Sequence, residues 1–174
     1  MRLNGKRAAI LVEDIYNDLE LWIPYYRLKE EGVVVTIVGT GTSSTYKGKY
    51  GIPVAVDRIA SEVTSADFDA VVIPGGYAPD KMRLDSRMVS LVRDMFNEGK
   101  VVASICHGGW MLASAGILGG KRATSYVAIR DDMVNAGARW EDAELVRDGN
   151  LITSRKPEDL PAFCRAVIQA MGES

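Results

Sequence analysis

Short apolar runs alternate along this chain with segments whose apolar residues recur at helical spacing. The runs are continuous and mostly β-branched, which is typical of strands covered on both faces; they span residues 8–12, 33–38, 69–73 and 101–105. Between them, and again at the C-terminal end, apolar residues repeat every three or four positions, as in an amphipathic helix. Strands and helices in alternation predict an α/β fold, with helices on both faces of a mostly parallel sheet.

Local signals indicate where several of these elements begin and end. Asn17 followed by Glu20 is typical of a helix start with a reciprocal capping box. Four residues have the spacing of that helix's apolar face: Leu19, Trp22, Ile23 and Tyr26. Residues 39–56 are rich in Gly, Ser, Thr and Tyr and predict a loop followed by a hairpin at the sheet edge. Two short strands are expected near residues 144–146 and 151–153.

Length and composition predict a single soluble domain over residues 1–174. Hydrophobic residues make up 47% and charged residues 25% of the chain, and the formal net charge of -2 gives no basic excess for nucleic acid. No apolar run is long enough to cross a bilayer, and the first residues lack the apolar core of a signal peptide. We therefore expect a cytoplasmic protein with neither a membrane nor a nucleic acid as partner.

The chain has two cysteines and one histidine, which limits the metal sites and catalytic triads that it can form. A zinc site built on Cys and His would need more ligands than the chain has, so no metal and no cofactor is expected. With His107 as the lone histidine, a Ser–Asp–His triad spread over separate loops is excluded, as is a nucleophilic cysteine with a distant downstream histidine. Cys164 lies in the apolar stripe of the last helix and is interpreted as a core residue.

Cys106 is the strongest candidate for a nucleophile. It follows the strand that ends at Ile105 and precedes His107-Gly108-Gly109, which open a helix. A turn of this kind is expected to expose the sulfur near a helix N-terminus, where free backbone N–H groups favour the thiolate. The two glycines are expected to admit a substrate rather than to serve packing. The alternative is a buried, unreactive cysteine that fills space at a strand end.

Other residues at the same edge of the sheet have two interpretations each. His107 either orients or deprotonates the sulfur, or points away from it. Glu20 either caps its helix or reaches over the carboxyl ends of the strands towards Cys106. The sequence Pro74-Gly75-Gly76 follows another buried strand and either lines the site or only forms a turn.

The segment Ala103-Ser104-Ile105-Cys106-His107-Gly108 resembles the cysteine elbow of the ThiJ/PfpI family of intracellular cysteine proteases. That family belongs to the superfamily of the parkinsonism-associated protein deglycase, with a class I glutamine amidotransferase-like fold. Further matching stretches spread the resemblance over nearly the whole chain: residues 68–76, 78–80, 124–126, 131–138 and 153–160. The resemblance implies a flavodoxin-like, three-layer sandwich with Cys106 on a nucleophile elbow.

The resemblance also implies roles for individual residues. It makes Cys106 the nucleophile, His107 its dyad histidine and Glu20 the carboxyl that hydrogen-bonds the sulfur. Asp80, which alone would be a solvated loop acid, matches an acid that family members contribute to a neighbouring subunit's histidine. A homodimer or hexamer is implied, because a monomer would lack a complete site.

The pocket implied by the resemblance matches the family only in part. Tyr126 corresponds to a pocket tyrosine, and three glycines are expected to line the pocket: Gly75, Gly76 and Gly108. Asn17, however, stands where the hyperthermophile-type proteases carry a second glutamate. Gly109-Trp110 replaces the usual Pro-Gln after the elbow, so a different substrate is expected.

We expect from these observations a cysteine-dependent enzyme whose thiolate adds to a carbonyl. The substrate is either a small reactive carbonyl compound, as in a deglycase or glyoxalase of the stress response, or a peptide or protein, as in a PfpI-type peptidase. The loss of the second glutamate favours the former. The alternative is a non-enzymatic redox-sensing or chaperone-like protein in which Cys106 is oxidised to a sulfinate.

Overall fold

A seven-stranded sheet forms the centre of the molecule in a computed structural model that describes residues 3–174. The strands of this sheet and of two small two-stranded ladders are β1 Arg7–Val12, β2 Val34–Gly39, β3 Thr45–Lys47, β4 Pro53–Ala55, β5 Arg58–Ile59, β6 Ala70–Ile73, β7 Val101–Ile105, β8 Arg122–Ala123, β9 Arg139–Trp140, β10 Val146–Asp148 and β11 Leu151–Ser154. The helices are α1 Asp18–Glu30, α2 Ala78–Met82, α3 Ser86–Asn97, α4 Gly109–Ala115, α5 Arg130–Asn135 and α6 Leu160–Glu173.

The order of the strands creates a crevice at one edge of the sheet. The order is β10-β11-β7-β6-β1-β2-β5, and every neighbouring pair is parallel except β10 with β11. From β1 the chain builds outwards through β2 and β5 on one side, then returns to build β6, β7 and β11 on the other. The order therefore reverses between β1 and β6, and α/β proteins bind their ligands beyond the carboxyl ends of the strands at such a point.

Helices cover both faces of the sheet, as the sequence predicts. On one face α1 packs against α6 and β2, and α6 also contacts β7 and β11. On the other face α3 packs against β6, β7 and α4. The central strands β1 and β6 are buried between these layers, in keeping with their continuous apolar sequences. The α/β three-layer architecture with a mostly parallel sheet is confirmed.

Most predicted elements are present, and the missed ones are short. The hairpin expected within residues 39–56 is the antiparallel pair β3–β4, and the two late strands are β10 and β11. The sequence did not predict α2, β5, β8 or β9. Each of these has two to five residues, too few to display a helical or strand periodicity.

The apolar face predicted for α1 is wrong: those residues point largely outwards. Leu19, Ile23 and Tyr26 are 46%, 38% and 63% exposed, and Tyr26 packs mainly on its aromatic neighbours Trp22 and Tyr25. The inner face instead carries two carboxylates and three apolar residues: Asp18, Glu20, Leu21, Pro24 and Leu28.

Asp18 is tolerated on the inner face of α1 because its charge is hydrogen-bonded. Its carboxylate accepts from the backbone N–H of Tyr50 at 2.8 Å and of Ile52 at 2.9 Å. Burial of a charged group is acceptable only with such partners, and they come from a hairpin distant in sequence. A helical periodicity that scores only apolar residues therefore selects the wrong face.

No helix in residues 3–174 is both long enough and apolar enough to cross a membrane.

Candidate active site

Cys106 stands at a sharp bend between β7 and α4. Its φ of +60° lies in the left-handed region, which side-chain-bearing residues seldom adopt and which costs about 1–3 kcal/mol. The chain then makes a 3-10 turn over Cys106–Gly108 and enters α4. The predicted strand–cysteine–turn–helix sequence is therefore present, although the helix has only seven residues and follows the 3-10 turn.

Glycines around the bend leave no room for side chains. A Cβ on Gly75 would lie 2.7 Å from Glu20 Oε2 and 2.8 Å from Cys106 Cβ. On Gly108 it would lie 2.6 Å from the carbonyl oxygen of Ile73, and on Gly109 2.6 Å from Met133 Sδ. The expectation that Gly108 and Gly109 serve no packing purpose is wrong, because both allow the turn to press against neighbouring elements.

Glu20 reaches the floor of the site rather than its own helix cap. Asn17 caps α1, with Oδ1 accepting from the N–H groups of Leu19 and Glu20. The reciprocal half of the predicted capping box is absent: the Asn17 N–H donates to the Gly75 carbonyl at 3.1 Å. The Gly75 N–H in turn donates to Glu20 Oε2 at 2.7 Å. Gly75 therefore ties the start of α1 to the end of β6.

The buried Glu20 carboxyl is close to half-protonated at neutral pH. Burial raises the pKa of Glu20 to about 7, although the hydrogen bond from Gly75, the Cys106 thiol and the charge of Lys49 each oppose this rise. The second carboxyl oxygen, Oε1, is buried and has no nitrogen or oxygen partner within residues 3–174. A carboxyl in this state can hold or release a proton near physiological pH.

Burial and the Glu20 carboxylate both disfavour ionisation of the Cys106 thiol. Burial, followed by the negative charge of Glu20, raises the pKa of Cys106 to about 12, while the backbone N–H groups of His107 and Gly76 lower it. The expectation that this position by itself favours the thiolate is therefore wrong, and burial is the main reason. A thiolate at neutral pH requires that another group accept the thiol proton, and protonation of Glu20 makes that transfer easier.

His107 lies beside the sulfur and points towards it. Its Nδ1 is 3.3 Å from Cys106 Sγ, so the interpretation in which this histidine points elsewhere is wrong. The ring stacks on Tyr126 with centroids 5.1 Å apart and meets the edge of Trp110 at 5.2 Å. Burial, then the charge of Lys49, lowers the pKa of His107, so the ring is neutral at pH 7 and able to accept a proton.

A cavity of about 690 Å³ opens above the sulfur. Five predicted residues line it: Asn17, Gly76, Cys106, His107 and Tyr126. Six lining residues were not predicted: Lys49, Tyr50, Tyr77, Lys156, Pro157 and Glu158. The segment after β11 could have been found, because it follows the carboxyl end of a parallel strand at the same edge as Cys106.

Four residues assigned to the site lie outside this cavity, and one of them is Glu20, which lies beneath the sulfur. Gly75 is buried beneath Cys106. Gly108 was expected to line the pocket, but it packs between β6 and β7, because the tight bend directs its Cα towards the sheet. Asp80 is exposed on α2 and does not line the cavity of its own chain.

Cys164 is buried in α6, where burial raises its pKa to about 11.

No group of three or more His, Cys, Asp or Glu side chains in residues 3–174 is arranged to hold a metal ion.

Comparison with known proteins shows close relatives along almost the whole chain. Residues 6–170 match the DJ-1/PfpI family. Deglycase PfpI of Pyrococcus furiosus is 49% identical over 95% of this chain and 99% of its own length. Protein/nucleic acid deglycase 2 of Escherichia coli is 41% identical over 97% of this chain and 99% of its own length.

A crystal structure from Anabaena variabilis superposes on the chain with a TM-score of 0.94 at 45% identity. It is of a two-domain protein with DJ-1/ThiJ/PfpI-like and ferritin-like domains, and the match covers 97% of this chain and 48% of that one. Sequence and fold agree, and the chain belongs to the DJ-1/PfpI family.

Proposed function

We propose that this protein is a cysteine-dependent enzyme that removes small reactive carbonyl compounds, with Cys106 as its nucleophile. One observation carries the proposal: the Cys106 sulfur lies on the wall of a cavity and 3.3 Å from the neutral ring of His107. A nucleophile within reach of a base, at a strained bend, is the arrangement that covalent catalysis requires. The names of the deglycase relatives from Pyrococcus furiosus and Escherichia coli support the same chemistry.

The first step is addition of sulfur to the carbonyl carbon. The Cys106 S–H bond breaks and its proton passes to His107 Nδ1, while the sulfur electron pair forms a bond to carbon. The π pair of the C=O bond moves to oxygen, which then takes the proton back from His107. An aldehyde gives a neutral hemithioacetal by this route. The backbone N–H groups of Gly76 and His107, which lower the pKa of the Cys106 thiol, stabilise the negative charge that develops on the sulfur during the step.

Glu20 sets how readily the sulfur carries charge. When Glu20 is ionised it opposes the thiolate, and when it is protonated that opposition is gone. Because its pKa is about 7, small changes around neutral pH alter the fraction of reactive sulfur. Glu20 is thus a positioning and charge-setting residue in this proposal, and His107 moves the proton.

The cavity favours a small carbonyl compound over a peptide. Its volume of about 690 Å³ is in the range of small-molecule sites. Asn17 contributes a neutral amide to its wall, so position 17 supplies no carboxyl for acid–base work on an amine leaving group. Peptidase activity is therefore the second candidate, because the same thiol would attack a peptide carbonyl.

A second copy of the chain is proposed to complete the site through Asp80. Asp80 lies on α2 between two apolar residues that are unusually exposed, Tyr77 at 63% and Leu84 at 83%. Burial of such residues against a neighbour would remove apolar surface from water. A carboxylate carried on that surface would then be delivered to the neighbour's His107, whose ring has no orienting carboxylate within its own chain among the described residues.

The test is turnover by wild type, Cys106→Ala and Cys164→Ala with a methylglyoxal-modified peptide and with an unmodified peptide. We expect turnover of the modified peptide by wild type and Cys164→Ala, and none by Cys106→Ala. Equal rates in wild type and Cys106→Ala contradict a cysteine mechanism. No turnover in any of the three, with oxidation of Cys106 to the sulfinate by dilute peroxide, would instead favour the redox-sensing alternative.

A further inference from the structure

Two lysine side chains stand at the cavity from different parts of the chain. Lys49 comes from the turn between β3 and β4, and Lys156 from the segment between β11 and α6. The backbone of Lys49 is held in place, because its N–H donates to the Tyr16 carbonyl at 2.7 Å, and its amine lies 5.7 Å from the centre of the Tyr50 ring. Both lysine residues are exposed to solvent at the mouth.

Neither amine is engaged by a carboxylate of the described chain. Elsewhere Lys81, Lys100 and Lys121 each lie within 4 Å of an aspartate or glutamate. In residues 3–174 no such ion pair involves Lys49 or Lys156. Their charges are therefore free to act on whatever enters the cavity.

The charge balance of the lining is positive. Lys49 and Lys156 face a single acidic side chain in the lining, Glu158. His107 is neutral at pH 7, and Glu20 lies beneath the sulfur rather than in the wall. The charge of Lys49 is felt inside the site, where it lowers the pKa of both His107 and Glu20.

We propose that the carbonyl substrate of this site carries a carboxylate, which Lys49 and Lys156 hold while Cys106 attacks the adjacent carbonyl. The inference rests on the proposed function and specifies its substrate class. An anionic substrate would otherwise be repelled by the thiolate that forms beneath it, and two amines at the mouth offset this repulsion. A neutral dicarbonyl compound would leave both charges unused.

The experiment compares alkylation of Cys106 by iodoacetate, which carries a carboxylate, with alkylation by neutral iodoacetamide of similar size. All variants carry Cys164→Ala so that one thiol is followed. We expect Lys49→Met/Lys156→Met to lower the iodoacetate-to-iodoacetamide rate ratio by about five- to tenfold relative to the parent, as expected for losing two partly screened charges. Lys49→Arg/Lys156→Arg keeps both charges and should keep the ratio.

Lys29→Met is the matched control, because Lys29 lies on α1, where its amine contacts Tyr25, and does not line the cavity. Its ratio should equal that of the parent. Added salt should lower the parent ratio towards that of the double methionine variant. An unchanged ratio in the double methionine variant, with its fold verified by circular dichroism, overturns the inference.

Alkylation of Cys106 requires no catalytic turnover, so the anion site can be tested independently of the proposed function. Anion selectivity at Cys106 without catalysis would contradict the enzyme and leave the anion site standing. Reversible addition tests the substrate class directly: the dissociation constant of the Cys106 hemithioacetal should be lower for glyoxylate than for methylglyoxal in wild type, and higher in Lys49→Met/Lys156→Met. A lower dissociation constant for methylglyoxal in wild type would overturn the carboxylate assignment.

Discussion

Glu20 and Cys106 form a pair in which the charge of Glu20 opposes ionisation of the thiol. The two residues are more than eighty positions apart in sequence, yet Gly75 holds them on the same floor. Burial raises the pKa of each, and the negative charge of Glu20 raises that of the thiol further. Which group carries charge at neutral pH is therefore a property of the pair rather than of either residue.

Replacement of Glu20 by Gln should lower the pKa of the Cys106 thiol. The substitution removes the negative charge that opposes the thiolate, while the N–H groups of Gly76 and His107 remain. The measurement is thiolate absorbance near 240 nm against pH, with Cys106→Ala as the blank. A midpoint that stays in place or moves upwards would contradict the electrostatic role assigned to Glu20.

The same substitution should change how stability depends on pH. Burial raises the pKa of Glu20 from 4.5 to about 7, so the folded protein holds a proton that the unfolded chain releases between these values. This stabilisation is complete below pH 4.5 and is lost as pH rises to about 7, at up to about 1.4 kcal/mol per pH unit. Urea unfolding from pH 5 to 8 should show this extra decline in wild type and not in Glu20→Gln.

The exposed Glu144→Gln serves as the control for this comparison, because it removes a carboxyl from the surface. Its unfolding free energy should follow the wild-type curve. If wild type and Glu20→Gln lose stability in parallel over this range, the raised pKa of Glu20 is wrong.

At the scale of elements, the turn from β7 into α4 depends on contacts made by glycine. Gly108 lies against the Ile73 carbonyl and Ser104 Oγ, at distances where a Cβ would be 2.6 Å and 2.7 Å away. The Ile73 carbonyl belongs to the backbone of β6, so it cannot move without distorting the central sheet, whereas the Ser104 hydroxyl can rotate. The position of Cys106 is thus set by how closely the turn approaches the sheet.

Gly108→Ala should destabilise the protein by about 2–3 kcal/mol, the usual cost of overpacking a rigid site. Gly119→Ala is the matched control, because a Cβ there would meet nothing within 4 Å and its φ is not positive. The control should be neutral or slightly stabilising. Chemical denaturation measures both, and similar effects at the two positions would contradict the packing argument.

The sequence was sufficient to predict the strands that are buried on both faces. It was insufficient to predict how an element is oriented when that orientation depends on buried polar groups. The runs at β1, β2, β6 and β7 were recognised because most of their residues are apolar and, in β1, β6 and β7, nearly all are buried between two helical layers. The orientation of α1 was not, because Asp18 finds its partners in a hairpin thirty residues away.

The candidate site was predictable to the extent that its groups follow adjacent strands. Cys106 and Gly76 follow neighbouring parallel strands, so their meeting at one edge could be expected, and the family resemblance added Glu20. The lysines at the mouth come from a hairpin turn and from the loop after β11, whose approach to the sulfur depends on how the chain returns across the sheet. The raised pKa of Cys106 depends on burial, which local sequence does not encode.

At the scale of the whole molecule, two outer surfaces carry neighbouring apolar side chains that are exposed. One is the α1 face with Leu19, Ile23 and Tyr26, and the other is the α2 region with Tyr77 and Leu84. Large exposed apolar surfaces mark interaction sites. Only the second carries an acidic residue, Asp80, whose carboxylate the proposed mechanism can use.

Asp80→Ala should reduce turnover by about ten- to a hundredfold while leaving the unfolding free energy within about 0.5 kcal/mol, because an exposed side chain contributes little to stability. Mixing Asp80→Ala with Cys106→Ala should restore part of the activity, since a mixed assembly pairs an intact Asp80 with an intact Cys106. Full activity of Asp80→Ala alone, or its failure to be rescued in the mixture, would contradict an acid shared between subunits.

The glycine at position 75 also limits how this protein can be re-engineered. Its N–H donates to Glu20 and its carbonyl accepts from the N–H of Asn17. Its Cα lies too close to Cys106 Cβ and to the buried carboxyl for a methyl group to fit. Random substitution at Gly75 and the residues that it contacts beneath the sulfur would mostly give misfolded or inactive variants. The side chains of Lys49, Lys156 and Glu158 are exposed, so substitutions there can change selectivity without disturbing the packing beneath the sulfur.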